Sequence, residues 1–146
     1  MFKTGRALLL AVMTLLATTT FFATTFVTPT VVAQEGHPLV GTWQGDWGPA
    51  ADDRNFLTII MNWDGKAITG LVNPGPDSSE LQAVKLDSST WSVTIETDLK
   101  DDAGQSHHFK AEGKLENIGT QTRALNGTWE DGQGKGTFTL TRQSGA

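Results

Sequence analysis

From about residue 39 onward the chain keeps one rhythm, apolar and polar residues exchanging at each step in runs that are closed off by turn formers. Trp91, Val93 and Ile95 alternate with Ser92, Thr94 and Glu96, and His107, Phe109, Ala111 and Leu115 alternate with His108, Lys110, Glu112, Lys114 and Glu116. A period of two marks strands with one packed face and one wet face. Between the runs stand Asp64-Gly65, Asn73-Pro74-Gly75-Pro76-Asp77, Asp87-Ser88-Ser89, Asp101-Asp102-Ala103-Gly104, residues 117–120 and Asp131-Gly132, all turn chemistry. No segment carries a helical stripe. The spacing predicts eight strands at 39–47, 55–63, 66–73, 80–86, 90–98, 105–116, 123–130 and 134–142. Short strands joined by short links form an antiparallel meander, and closure into a barrel removes its edges. The fold class expected is therefore all-β, an eight-stranded up-and-down barrel. A two-sheet sandwich is the competing architecture.

The first third of the chain breaks that rhythm. Lys3 and Arg6 precede the apolar run Ala7 to Ala17, and a Thr- and Phe-rich stretch ends in Val31-Val32-Ala33. A basic start, a short apolar core and small residues before a cut are the layout of a secretory signal peptide. Phe21, Phe22, Phe26 and Val27 lengthen the apolar region toward that of a membrane anchor, but Thr18 to Thr20, Thr24, Thr25 and Pro29 interrupt it. The expected organisation is a signal peptide at 1–33, cut near Ala33, and a barrel domain at 34–146, secreted or periplasmic and not stably inserted in a membrane. Cleavage removes two positive charges and no negative ones, so a formal charge of -5 for the whole chain becomes more negative by that amount.

Composition excludes several functions. A chain of 146 residues makes one domain and leaves no room for a separate cofactor module. The absence of Cys removes disulfide frameworks, thiol catalysis and Cys-type metal sites. The acidic balance argues against nucleic acid, which requires a basic face. Catalysis finds no constellation. There is no Gly-x-Ser-x-Gly elbow, the strand-borne Glu80, Glu96, Glu112 and Glu116 fall on the wet phase, and His107 and His108 are neighbours on a strand and face opposite ways. No cofactor and no metal site is expected. Asp52, Asp53, Asp77, Asp101, Asp102 and Asp131 offer oxygen ligands of the kind calcium takes, but in no EF-hand spacing, and Asp is a common turn former.

Gly41-Thr42-Trp43, its echo Asn126-Gly127-Thr128-Trp129, and the closing run Gly136-Thr137-Phe138-Thr139-Leu140-Thr141-Arg142 resemble the calycin superfamily of lipocalins and avidins. Barrels of that superfamily open on a Gly-x-Trp strand and end on an inward Arg that lies over the Trp. The lack of helices is closer to avidin. Avidin-type biotin sites use a Tyr hydroxyl and polar groups on the first strands; this chain has no Tyr and places Gly45 and Pro49 there, so biotin is not the expected ligand. The stretch Gly41 to Asp46 with Trp63-Asp64-Gly65-Lys66 and Asn73-Pro74-Gly75-Pro76 also resembles a family of small exported bacterial proteins with no assigned activity.

A meander sorts residues by barrel end. Links 48–54, 74–79, 99–104 and 131–133 share one mouth, and links 64–65, 87–89 and 117–122 share the other. At the second end Trp43, Trp63, Trp91 and Arg142 are expected as a structural plug, a guanidinium held among indoles. At the loop-bearing mouth Trp47, His107 and Trp129, with Asn73 above them, are candidates to contact a small apolar, aromatic or sugar-like ligand. Three functions fit: a ligand-binding barrel, an inhibitor-like interaction module with a filled interior, and a carbohydrate-binding domain presenting Trp47 or Trp63.

Overall fold

A computed structural model describes residues 36–101 and 103–144. The expected signal peptide lies outside them. Eight antiparallel strands follow one another: β1 (Gly41–Ala50), β2 (Asp53–Trp63), β3 (Ile68–Val72), β4 (Ser79–Asp87), β5 (Ser92–Lys100), β6 (Ser106–Glu116), β7 (Ala124–Glu130) and β8 (Lys135–Arg142). Each pairs with the next, and β8 returns to β1, giving a closed barrel in the order β1 to β8. The register runs from Trp43 opposite Arg142 to Gly48 opposite Thr137. That seam rules out the sandwich, in which each sheet would keep open edges.

The alternation places the core. Leu57, Ile59 and Met61 of β2, Val93 and Ile95 of β5, Phe109, Ala111 and Leu115 of β6, and Phe138 and Leu140 of β8 are buried inside the barrel. Polar residues of the same strands face out. Thr97 is the buried exception; its hydroxyl donates to the Glu80 carbonyl at 2.8 Å, beside the register shift between Leu81 and Ala83. A buried hydroxyl without such an acceptor would cost about 1–3 kcal/mol.

Glycines make close approaches possible at the seam and beside Phe138. A Cβ on Gly45 would sit 1.8 Å from the Thr139 carbonyl oxygen across the seam, and one on Gly113 would sit 2.9 Å from Cζ of Phe138. Gly45 is therefore fixed by the β1–β8 contact. On the outer face of the same seam Arg54 reaches past β1 to the Thr137 hydroxyl at 2.9 Å and carbonyl at 3.0 Å, and it pairs with Asp46.

Strand boundaries differ from expectation where turns take over. Pro38 and Leu39 lie in a turn, so β1 begins at Gly41. Asp64 Oδ1 accepts from the amides of Lys66 and Ala67 at 2.7 and 2.8 Å, which holds the turn open until β3 starts at Ile68.

The turn at 37–40 is the stopper of the loop-poor end. Leu39 is fully buried, and three successive carbonyls around it are captured by three inward side chains. Arg123 Nη1 donates to Pro38 at 3.1 Å, Trp43 Nε1 to Leu39 at 2.8 Å, and Arg142 Nε to Val40 at 2.8 Å. His37 stacks on Trp63 with ring centroids 5.1 Å apart, and its Nδ1 accepts from the Leu39 amide at 3.3 Å. Burial holds the His37 pKa below its ordinary value, in keeping with a ring that accepts a hydrogen bond there.

Candidate ligand cleft at the barrel mouth

The four links 51–52, 73–78, 101–105 and 131–134 share one mouth, the grouping expected from a meander. Beneath them lies an aromatic floor. Trp129 stacks on Phe109 at 5.5 Å with an interplanar angle of 18°, and Trp47 meets both edge-on, at 4.8 Å from Trp129 and 5.4 Å from Phe109. These offset and perpendicular arrangements are the ones aromatic quadrupoles favour. Phe109 and Trp129 are buried and Trp47 is half-buried, so Trp47 is the member that reaches the opening.

Below the floor the interior is filled. The space left among Leu57, Ile59, Ile95, Phe138 and Leu140 is about 10 Å³, near the limit for one water. Above the floor opens a cleft of about 270 Å³ that is walled by Trp47, Asn73, Leu99, His107 and Phe109 and rimmed by Asp77, Lys100, Asp101 and Asp131. Any ligand of this barrel therefore sits on the core and not within it.

His107 spans two of the mouth loops. Gln133 Nε2 donates to its Nδ1 at 3.1 Å, which leaves Nε2 to donate to Asp101 Oδ2 at 2.9 Å. The other oxygen of Asp101 accepts from the amides of Ala103 and Gln105. The His107 contact first, and these amides after it, pull the Asp101 carboxyl below the ordinary carboxylate range. Asp131 caps the opposite loop by accepting from Gln133 and Gly134 at 2.9 and 2.7 Å. On the outer wall His108 contacts Asp98 at 3.0 Å, a surface pair apart from the cleft.

Of the four expected ligand contacts, Trp47, Asn73 and His107 line the cleft, while Trp129 supports it from below. Asn73 has backbone reasons for its identity. It adopts a positive φ of 47°, a conformation Asn tolerates, and its Oδ1 accepts from the Thr58 amide at 3.2 Å. Phe109, Leu99, Lys100 and Gln133 were not read as site residues. Phe109 shares the inward phase of His107, and that phase was the available signal.

The expected plug is corrected in part. Trp43 is fully buried and Trp91 packs half-buried against the core. Trp63 is 47% exposed; it stands beyond the barrel end and stacks on His37. The contacts of Arg142 are carbonyl oxygens, at Val40 and Gln121, in place of the indoles expected. The deeply buried cation is Arg123, 4% exposed, which also donates to Ile118 at 3.1 Å. Of the acidic rim, Asp77, Asp101 and Asp131 border the cleft; Asp102 lies outside the described residues. Among the described residues no group of three His, Asp or Glu side chains is placed to hold a metal ion.

A larger concavity, about 490 Å³, lies on the outer wall among Pro49, Lys110, Glu112, Glu130 and Lys135. Lys110 and Glu112 already pair there at 2.7 Å, and the walls are long charged side chains. Of the aromatic cluster Trp129 borders this outer concavity, whereas Trp47 and Phe109 both line the mouth cleft. Comparison with protein-family models, curated proteins and solved structures finds no match.

Proposed function

We propose that this chain is an exported small-molecule-binding barrel of calycin type whose ligand docks at the loop-bearing mouth. The observation that supports it is the cleft of about 270 Å³ with Trp47, Asn73 and His107 in its wall. A concave site that is apolar at its base and carries a few oriented polar groups is the common form of a small-molecule pocket, and this one is at the small end. His107 contributes an imidazole whose orientation is set from both sides, and Trp47 contributes a surface for a planar or sugar-like group. The filled interior limits the ligand to one that rests on the aromatic floor. A lipocalin-like ligand threaded down the axis has no room.

The test is intrinsic fluorescence titrated with planar metabolites and sugars. A saturable change that disappears in a Trp47→Ala variant with an unchanged strand signature in circular dichroism supports the reading, and no saturable change across the panel overturns it. Export is tested separately, by the mass of protein recovered outside the cytoplasm, expected to begin at Gln34.

The exposure of Trp63 favours a second reading, a carbohydrate platform at the opposite end. His37 already covers one face of that indole. Quenching of Trp63 fluorescence that sugars relieve would favour this reading over the mouth.

A further inference from the structure

The rim of the cleft is unevenly charged. Three carboxylates, Asp77, Asp101 and Asp131, and one ammonium, Lys100, border it. Two of the carboxylates are fixed in place, since Asp101 and Asp131 each commit Oδ1 to two amides of their own loop. Oxygens remain for a guest. Among the described residues the Asp77 carboxylate and Oδ2 of Asp131 make no hydrogen bond, and they share the cleft with Trp47 and Phe109. Carboxylates held above aromatic rings attract a positively charged group that carries an apolar body, through charge and through the ring quadrupoles together. Preset carboxylates lose little freedom when they bind.

We propose that the cleft selects organic cations, a primary or quaternary ammonium held between Asp77 and Asp131 with its apolar part against Trp47 and Phe109. This assignment rests on the mouth cleft being the ligand site. Both ring nitrogens of His107 are taken, by Gln133 and Asp101, so it offers the ligand its ring face. Its bond to Asp101 keeps that carboxylate turned toward the β6 wall and leaves Asp77 and Asp131 to meet the charge.

Three probes of nearly equal shape and different charge separate the two readings: phenethylammonium, phenethyl alcohol and phenylacetate. Each is titrated into isotope-labelled protein while the Trp47 indole and His107 amide resonances are followed. Phenethylammonium is expected to shift both and to bind roughly tenfold tighter than the alcohol, with phenylacetate weakest. The preference shrinks at high salt and is lost in the double variant Asp77→Asn, Asp131→Asn. Asn keeps the acceptor oxygen of the loop cap, and an unchanged melting temperature shows that the barrel is intact. If the alcohol or phenylacetate binds as tightly as the cation, the charge assignment is overturned and the cleft stands. If none of the three moves Trp47 or His107, the cleft reading falls and the charge assignment with it.

Discussion

Arg123, just ahead of β7, and Arg142, at the end of β8, hold one short turn, the first donating to the Pro38 carbonyl at 3.1 Å and the second to Val40 at 2.8 Å. Between them Leu39 fills the end of the barrel. Arg123 is the more deeply buried of the two. Its replacement by Ala leaves the Pro38 and Ile118 carbonyls without this donor and opens a void under Leu39. Arg123→Ala is expected to lower unfolding stability by about 2–4 kcal/mol and Arg142→Ala by about 1 kcal/mol. Urea denaturation of both variants checks the order; equal losses would remove the distinction.

Gly45→Ala is expected to be the most damaging single methyl on the seam. The added Cβ meets the Thr139 carbonyl oxygen at 1.8 Å, and backbone can yield only by parting β1 from β8. A loss of about 3 kcal/mol or more is expected. Gly119→Ala, where a Cβ meets nothing within 4 Å, is the matched control and should fall within about 0.5 kcal/mol of wild type. Thermal melts of the pair suffice.

Trp129 carries a buried indole N–H that has no hydrogen-bond partner among the described residues. Trp129→Phe keeps a ring against Phe109 and removes that group, so the lost area is partly offset and the change should stay within about 1.5 kcal/mol. Trp129→Ala removes the floor and should cost about 3–5 kcal/mol. A Phe variant as unstable as the Ala variant would show that the N–H is satisfied by solvent.

The mouth should loosen in acid. Asp101 has its carboxyl pKa lowered by His107 and by loop amides, below its value in the unfolded chain. Its contribution is therefore complete above about pH 4, where the unfolded chain is also ionised, and is lost as pH falls through the lower folded value. Carbon-detected titration should place the Asp101 midpoint below the ordinary carboxylate range. Asp101→Asn should flatten the fall in stability at low pH, and an unaltered fall would contradict the assignment.

The strand count and the grouping of loops at one mouth were legible because both follow from period two and turn chemistry, which are local. The seam was legible less directly, through the spacing that lets eight strands close. Depth was not. Trp63 continues the inward phase of Leu57, Ile59 and Met61, yet β2 runs past the end of the barrel, and phase gives the side of a strand without saying how far along the axis it lies. Arg123 was missed for a related reason. It lies two residues before Leu125 on the inward phase, but a guanidinium is ordinarily solvated, and the carbonyls that satisfy it come from 85 residues away. At the mouth Trp47 and His107 were legible from their phase; the filled floor was not, since it depends on how Phe109 and Trp129 stack.

The pairing of Trp43 with Arg142 also sets an order of events. Seven of the eight ladders join neighbours in the chain and can form as soon as each hairpin has been made, whereas the eighth waits for the last strand. Until residues 135–142 arrive, β1 has one unpaired edge and neither Gly45 nor Arg142 has its partner. Closure is thus one late step with a long loop to join, the kind of contact that slows folding. A chain ending at Gly134, without β8, should retain hairpins yet never acquire the cooperative unfolding of the barrel.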